Sequence, residues 1–218
     1  MNSPILQLLV LAGIAIFLIL RLKNVLGTRE GFEKPVARSG PQDNPRRAEF
    51  EVIDGGPDPD IIDHVDANSP AAEALTRMKR VENDFGVTDF LGGARGAYEM
   101  ILMAFERGDL ADIKPFLGSD VYESFAQVVE SREAQGLKIE AEFIGVRELS
   151  LVEAVLSDSN LAEITVKFVG ELTSVVRNSA GEIVEGKLDQ IKHQKDVWTF
   201  ARTMGSDDPN WQLVATGE

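Results

Sequence analysis

Few side chains in this sequence could carry covalent, metal or proton-transfer chemistry. There is no cysteine, which removes disulfides, thiolate metal sites and thiol nucleophiles. The two histidines lie far apart. His64 falls in a proline-rich stretch and His193 in the polar run KHQK, and the sequence specifies a carboxylate partner for neither. The piece DGGPDPDIID, with Asp54, Asp58, Asp60 and Asp63, has the composition of a calcium loop without its Asp-x-Asp-x-Asn/Asp-Gly order or closing Glu, and reads as a solvated acidic turn. Gly92, Gly93 and Gly96 lack the Lys-Ser/Thr ending and the preceding strand of a phosphate loop, so close approach of another element is the better account. No catalytic, metal-binding or cofactor-binding residue is predicted, and no cofactor.

Binding is the chemistry that remains. Tyr98, Phe105, Tyr122, Phe125, Phe168, Trp198, Phe200 and Trp211 stand at apolar positions and are the candidate lining of a pocket for an acyl chain or an exposed hydrophobic peptide. Plain core packing is the competing account for each of them. Lys and Arg total 22 against 36 Asp and Glu, a formal charge of -14, so the chain has no basic excess with which to hold a phosphate backbone. Nucleic acid is excluded as a partner.

The elements that must position these aromatics divide by period. Residues 71–85, AAEALTRMKRVENDF, place Leu75, Met78, Val81 and Phe85 on one helical stripe behind a Ser69-Pro70 start; the helix docks on the domain or meets a membrane or partner. From Thr88 a core-facing helix carries Phe90, Leu91, Ala94, Tyr98, Ile101, Leu102 and Phe105, and Gly108 stops it. A short helix over DLADIKPFL precedes a longer one that starts after Ser119 as its cap and ends at Gly136. Beyond Gly136 the period switches to two. Residues 138–156 form a strand with a bulge at Gly145, and in 162–172 Ala162, Ile164, Val166, Phe168 and Leu172 alternate with Glu163, Thr165, Lys167 and Glu171. The Asn178 to Gly181 turn leads to a long strand ending near Thr203, and a last strand runs from Asn210 to Thr216. Helices followed by strands with one wet face predict an α+β fold on an antiparallel sheet.

The first twenty residues belong to a different solvent. Pro4 to Leu20 is uncharged apart from one neutral polar Gln7, and a helix from Met1 to Leu22 would reach roughly 33 Å, enough for a hydrocarbon core of about 30 Å. The expected organisation is a transmembrane anchor over 1–24, a disordered acidic linker over 25–70 holding six of the nine prolines, and a domain over 71–218 with a leading amphipathic helix. Arg21, Lys23 and Arg29 follow the span and no Lys or Arg precedes it, so the N-terminus is expected outside and the domain on the cytoplasmic face of the inner membrane.

The segments FLGGARGAYEMILMAFERGDLADIKPFLGSDVYESF, DVWTFAR and DPNWQLVATGE resemble the Tim44-like domain family from about Phe85 to the end, and with the anchor and linker the chain resembles its bacterial TimA-type members. The resemblance implies helices packed on a curved antiparallel sheet, the cone of cystatin and nuclear transport factor two, with an apolar pocket in its concave face. It also implies a membrane-anchored, non-enzymatic adaptor in protein translocation or membrane-protein organisation, whose partners are translocation machinery, a chaperone or a client. A lipid- or small-ligand-binding module of the same fold, with or without catalytic activity, is the alternative.

Overall fold

The computed structural model describes residues 58–217. Four helices come first: α1 (Pro59–Ile62), α2 (Pro70–Val81), α3 (Val87–Arg107) and, after a 3-10 turn at Lys114–Phe116, α4 (Ser119–Ala134). Five strands follow: β1 (Lys138–Leu156), β2 (Leu161–Arg177), β3 (Ile183–Gly186), β4 (Lys192–Thr203) and β5 (Gln212–Gly217). The five strands pair with one another antiparallel, in the order β1-β2-β4-β5, with β3 beside the end of β2. The α+β class and the alternation in β2 are as expected: Ala162, Ile164, Val166, Phe168 and Leu172 are buried on one face, beneath the helices. The curved cone is not. The sheet is neither closed nor strongly curled, because the path ends in two different strands, β1 and β5, that never meet.

α2 begins where Ser69 Oγ accepts the Ala72 N–H at 3.1 Å, and it buries Ala72, Ala74, Leu75 and Met78 against the domain. Of the expected stripe, Leu75 and Met78 dock, whereas Val81 is exposed and Phe85 lies beyond the end of the helix. α3 runs for 21 residues and stops at Gly108, whose φ of 78° takes the left-handed conformation that a side chain resists. α4 starts one residue from expectation, with Gly118 as cap, because the Gly118 N–H is spent on Leu213 O at 2.8 Å, tying the helix to β5. The expected short helix over DLADIKPFL shrinks to a single 3-10 turn around Pro115.

β1 lies along the sheet's margin for 19 residues and slips register three times, between Phe143 and Gly145, Val146 and Glu148, and Leu151 and Glu153. Ile144, Arg147 and Val152 are the residues left without a partner. The long strand expected after Gly181 divides into β3 and β4. At Gly186, φ is 82° and a Cβ would stand 2.2 Å from Ser174 O, so the chain turns there.

Three expectations concern membranes. The anchor over 1–24 and the linker up to residue 57 lie outside the described residues. Among the described residues no helix is long and apolar enough to cross a membrane: α3 has the length but carries Asp89, Arg95, Glu99, Glu106 and Arg107. The single-pass topology, the inner-membrane placement and the membrane contact through an N-terminal helix therefore find no spanning helix to support them among the described residues.

Residues 58–66 are also unlike the expected solvated turn. Ile61 is only 2% exposed, and the acids around it are engaged. Asp58 caps α1 and meets Lys79 Nζ at 2.7 Å; Asp60 meets the same ammonium at 2.7 Å. Asp60 then reaches further, accepting the Val87 N–H at 2.7 Å and the Thr88 N–H at 2.9 Å. Those amides open α3, whose own cap residue, Gly86, has no side chain to offer them.

A candidate docking groove

The aromatic residues singled out from the sequence sit in three places. Tyr98, Phe168 and Trp198 form a sealed stack under α3. The Tyr98 and Phe168 rings are 4.5 Å apart and nearly parallel, Trp198 lies 4.8 Å from Tyr98, and all three are at most 3% exposed. The Tyr98 hydroxyl donates to Asp196 Oδ2 at 2.5 Å, and Gln194 Nε2 donates to the other carboxylate oxygen at 3.2 Å. Burial and the neighbouring Asp196 push the Tyr98 hydroxyl far above its usual range, so it stays protonated as a donor. Space for it exists because residue 170 is glycine, where a Cβ would stand 2.6 Å from the phenol oxygen.

Phe105 and Phe125 pair at 4.5 Å between α3 and α4, closed by the Arg132 guanidinium 4.3 Å over the Phe105 ring and bonded to Phe105 O. Tyr122 is half-buried nearby with Lys114 Nζ 4.9 Å over its ring. These two groups are packing of ordinary kind. The apolar pocket expected of the eight residues is not formed as a closed cavity, since these aromatics fill their own space in, or packed against, one continuous core.

The third place is open. Phe200 and Trp211 join Phe85 and Phe90, with Trp211 4.7 Å from Phe90 and 6.1 Å from Phe85, to wall a groove of about 460 Å³. Its other wall is one face of α3: Gly86, Phe90, Gly93, Ala97 and Met100 follow each other at three or four residues. From Gly86 to Met100 that face is roughly 21 Å long at 1.5 Å per residue. Phe116 closes the far side. No atom lies within 4 Å of where a Cβ would be at Gly92, Gly93 or Gly96. The expected neighbouring element is absent there, and the glycines leave the helix surface bare.

Charges gather at one end of the groove: Glu82, Asp84, Asp89 and Arg202. Glu82 accepts from Arg202 Nη2 and from the Gly205 N–H at 3.0 Å. Burial opposes ionisation of Glu82, but Arg202 and the Gly205 amide outweigh it and hold the carboxyl below its usual range. The Arg202 side chain is 8% exposed, stands 5.8 Å over Trp211, and its Nε is buried without a hydrogen-bond partner. That group fastens α2 to the β4–β5 turn and makes the groove's end polar.

The histidines take surface contacts, His64 Nε2 with Thr88 Oγ1 at 3.2 Å and His193 Nδ1 with Glu171 at 3.3 Å. Among the described residues no group of three or more His, Asp or Glu is placed to hold a metal ion. Sequence reasoning missed Phe85 and Phe90 as groove walls, Arg202 as its buried cation and Asp60 as a cap.

Comparison with known proteins adds the following. Residues 71–218 match the Tim44-like domain. The chain is similar to the human mitochondrial import inner membrane translocase subunit TIM44, 25% identical over 158 residues that make up 71% of this chain and 35% of that protein. It is also similar to the Arabidopsis thaliana subunit TIM44-1, 23% identical over 150 residues, or 66% of this chain and 31% of that one. It thus spans about a third of the length of the curated relatives it matches. Among solved structures, the intermembrane space region of the chloroplast protein ARC6 aligns with 66% of this chain and 94% of its own at 11% identity, with a TM-score of 0.35, too low to support an argument.

Proposed function

The chain belongs to the Tim44-like domain family, and on that premise we propose that it is a non-enzymatic adaptor of protein translocation or membrane-protein organisation that holds an apolar segment of a partner protein in the α3 groove. The family resemblance links it to adaptor and scaffold proteins of the membrane translocation machinery at a general level. Its likeness to the bacterial TimA-type members is part of the same proposal, without the anchor.

One observation carries the reading: a bare, glycine-lined helix face set against aromatic side chains, open along its length. Small residues let a guest backbone come close, and Phe90 and Trp211 supply contact area at little rotamer cost. An open trough suits a polypeptide, which keeps its polar backbone toward water, better than a bare acyl chain, which gains most from enclosure.

A photo-crosslinking residue in place of Met100, inside the groove, should trap a defined set of proteins in intact cells, and the same residue at Val152 on β1 should not. Gly93→Leu fills the trough from an exposed helix position. It should cut that crosslinking about tenfold while leaving the melting temperature the same or slightly raised, since leucine is the better helix former. Equal profiles from Met100 and Val152, or full crosslinking in Gly93→Leu, would rule the groove out.

A further inference from the structure

We propose that residues 58–66 are a strap whose Asp60 caps α3 from outside the helix and so positions the mouth of the groove. The inference rests on the groove reading above for its functional meaning, but its geometry stands without any guest.

α3 cannot cap itself. Its cap position is Gly86, and the amides of Val87 and Thr88 are bonded by the two oxygens of Asp60, 27 and 28 residues earlier in sequence. The turn so held is the groove's mouth: Phe85, Gly86, Asp89 and Phe90 line it, and Phe85 and Phe90 are the rings against Trp211. Phe90 N–H in turn donates to Gly86 O at 2.9 Å, the first bond of the helical ladder. Lose Asp60 and two N–H donors of the helix lose their acceptors in the turn that carries one aromatic wall.

The strap is held in a way that can let go. Ile61 is fully buried and Val65 partly so; the rest of the grip is polar: Asp58 and Asp60 on Lys79, at side-chain exposures of 42%, 26% and 21%, Asp60 on the Val87 and Thr88 amides, and His64 on Thr88 Oγ1. Pairs that water reaches are weakened by salt and by competing charges. The segment therefore opens at lower free energy than the sheet beneath it, where β2 is paired on both sides. Asp60 is a positioning residue: it touches no guest and acts through the first turn of α3.

Hydrogen exchange on the full chain, with no guest added, tests this. Asp60→Asn keeps one acceptor oxygen and puts an NH2 group in place of the other, so exchange should speed about tenfold at whichever of the Val87 and Thr88 amides loses its oxygen. Ile164 and Val166 in β2 should keep their protection. With fluorinated tryptophan, the Trp211 resonance should move and that of Trp198 should stay. Unchanged exchange at Val87 and Thr88 overturns the proposal, and so does equal acceleration in β2, which would make Asp60 a general stabiliser. Should Asp60→Asn fail to fold, the wild-type chain in rising salt supplies the same comparison: selective loss of protection at Val87 and Thr88 supports the strap, and uniform loss or none defeats it. A failed crosslinking experiment at Met100 leaves these exchange results standing, and a failed strap leaves the crosslinking untouched.

Discussion

At the scale of single residues, Tyr98 and Gly170 constitute one device. The phenol lies flat on Phe168 and needs the missing side chain at 170 to reach Asp196. Gly170→Ala pushes a methyl group into a ring packed on several sides and should cost about 1 to 3 kcal/mol in urea denaturation. Tyr98→Phe keeps the stack and removes one donor to the carboxylate, with an expected loss of about 1 to 2 kcal/mol by the same measurement. Asp60 and Glu82 predict the acid limb of stability. Burial opposes the ionisation of both, yet the Lys79 ammonium and the Thr88 and Val87 donors hold Asp60 well below the ordinary carboxylate range, as Arg202 and Gly205 do for Glu82. A depressed folded value means that the stabilisation is present above the unfolded value of about 4 and fades as pH falls through the lower folded one. The melting temperature should therefore drop as pH goes below about 4, and Asp60→Asn should flatten that limb.

At the scale of elements, periodicity carried most of the fold and little of the site. The 3.6 period placed α2 and α3, and the two-residue period placed β2, because each is governed by burial of one face, which a chain records locally. Gly186 shows where that record ends: nothing near it in sequence reports that Ser174 O lies 2.2 Å from its missing Cβ. Groove and strap were illegible for the same reason. Phe90 and Trp211 are 121 residues apart, Asp60 and Val87 are 27 apart, and no local pattern ties such pairs. The glycines of α3 were read as room for a neighbour, which is right about the space and silent about what uses it. They also make a prediction. Gly92 is exposed, inside the helix and outside the groove lining, so Gly92→Ala should raise stability by about 0.5 to 1 kcal/mol in thermal unfolding.

At the scale of the whole molecule, the family match begins at residue 71 but the fold begins earlier. A fragment starting at residue 71 discards Ile61, Asp60 and the Ser69 cap of α2. It should be less stable than one starting at residue 52 by about 3 kcal/mol, from one buried isoleucine and two lost caps, as read from denaturant midpoints. β1 has a consequence of its own at this scale. Its 19 residues pair with β2 on one side and with no strand on the other, an edge of the kind on which sheet proteins can zip onto copies of themselves. Ile144, Arg147 and Val152 each throw an approaching ladder out of phase, so that a straight intruder never aligns over more than a few consecutive rungs. An edge broken in this way disfavours strand-to-strand growth from this side of the sheet.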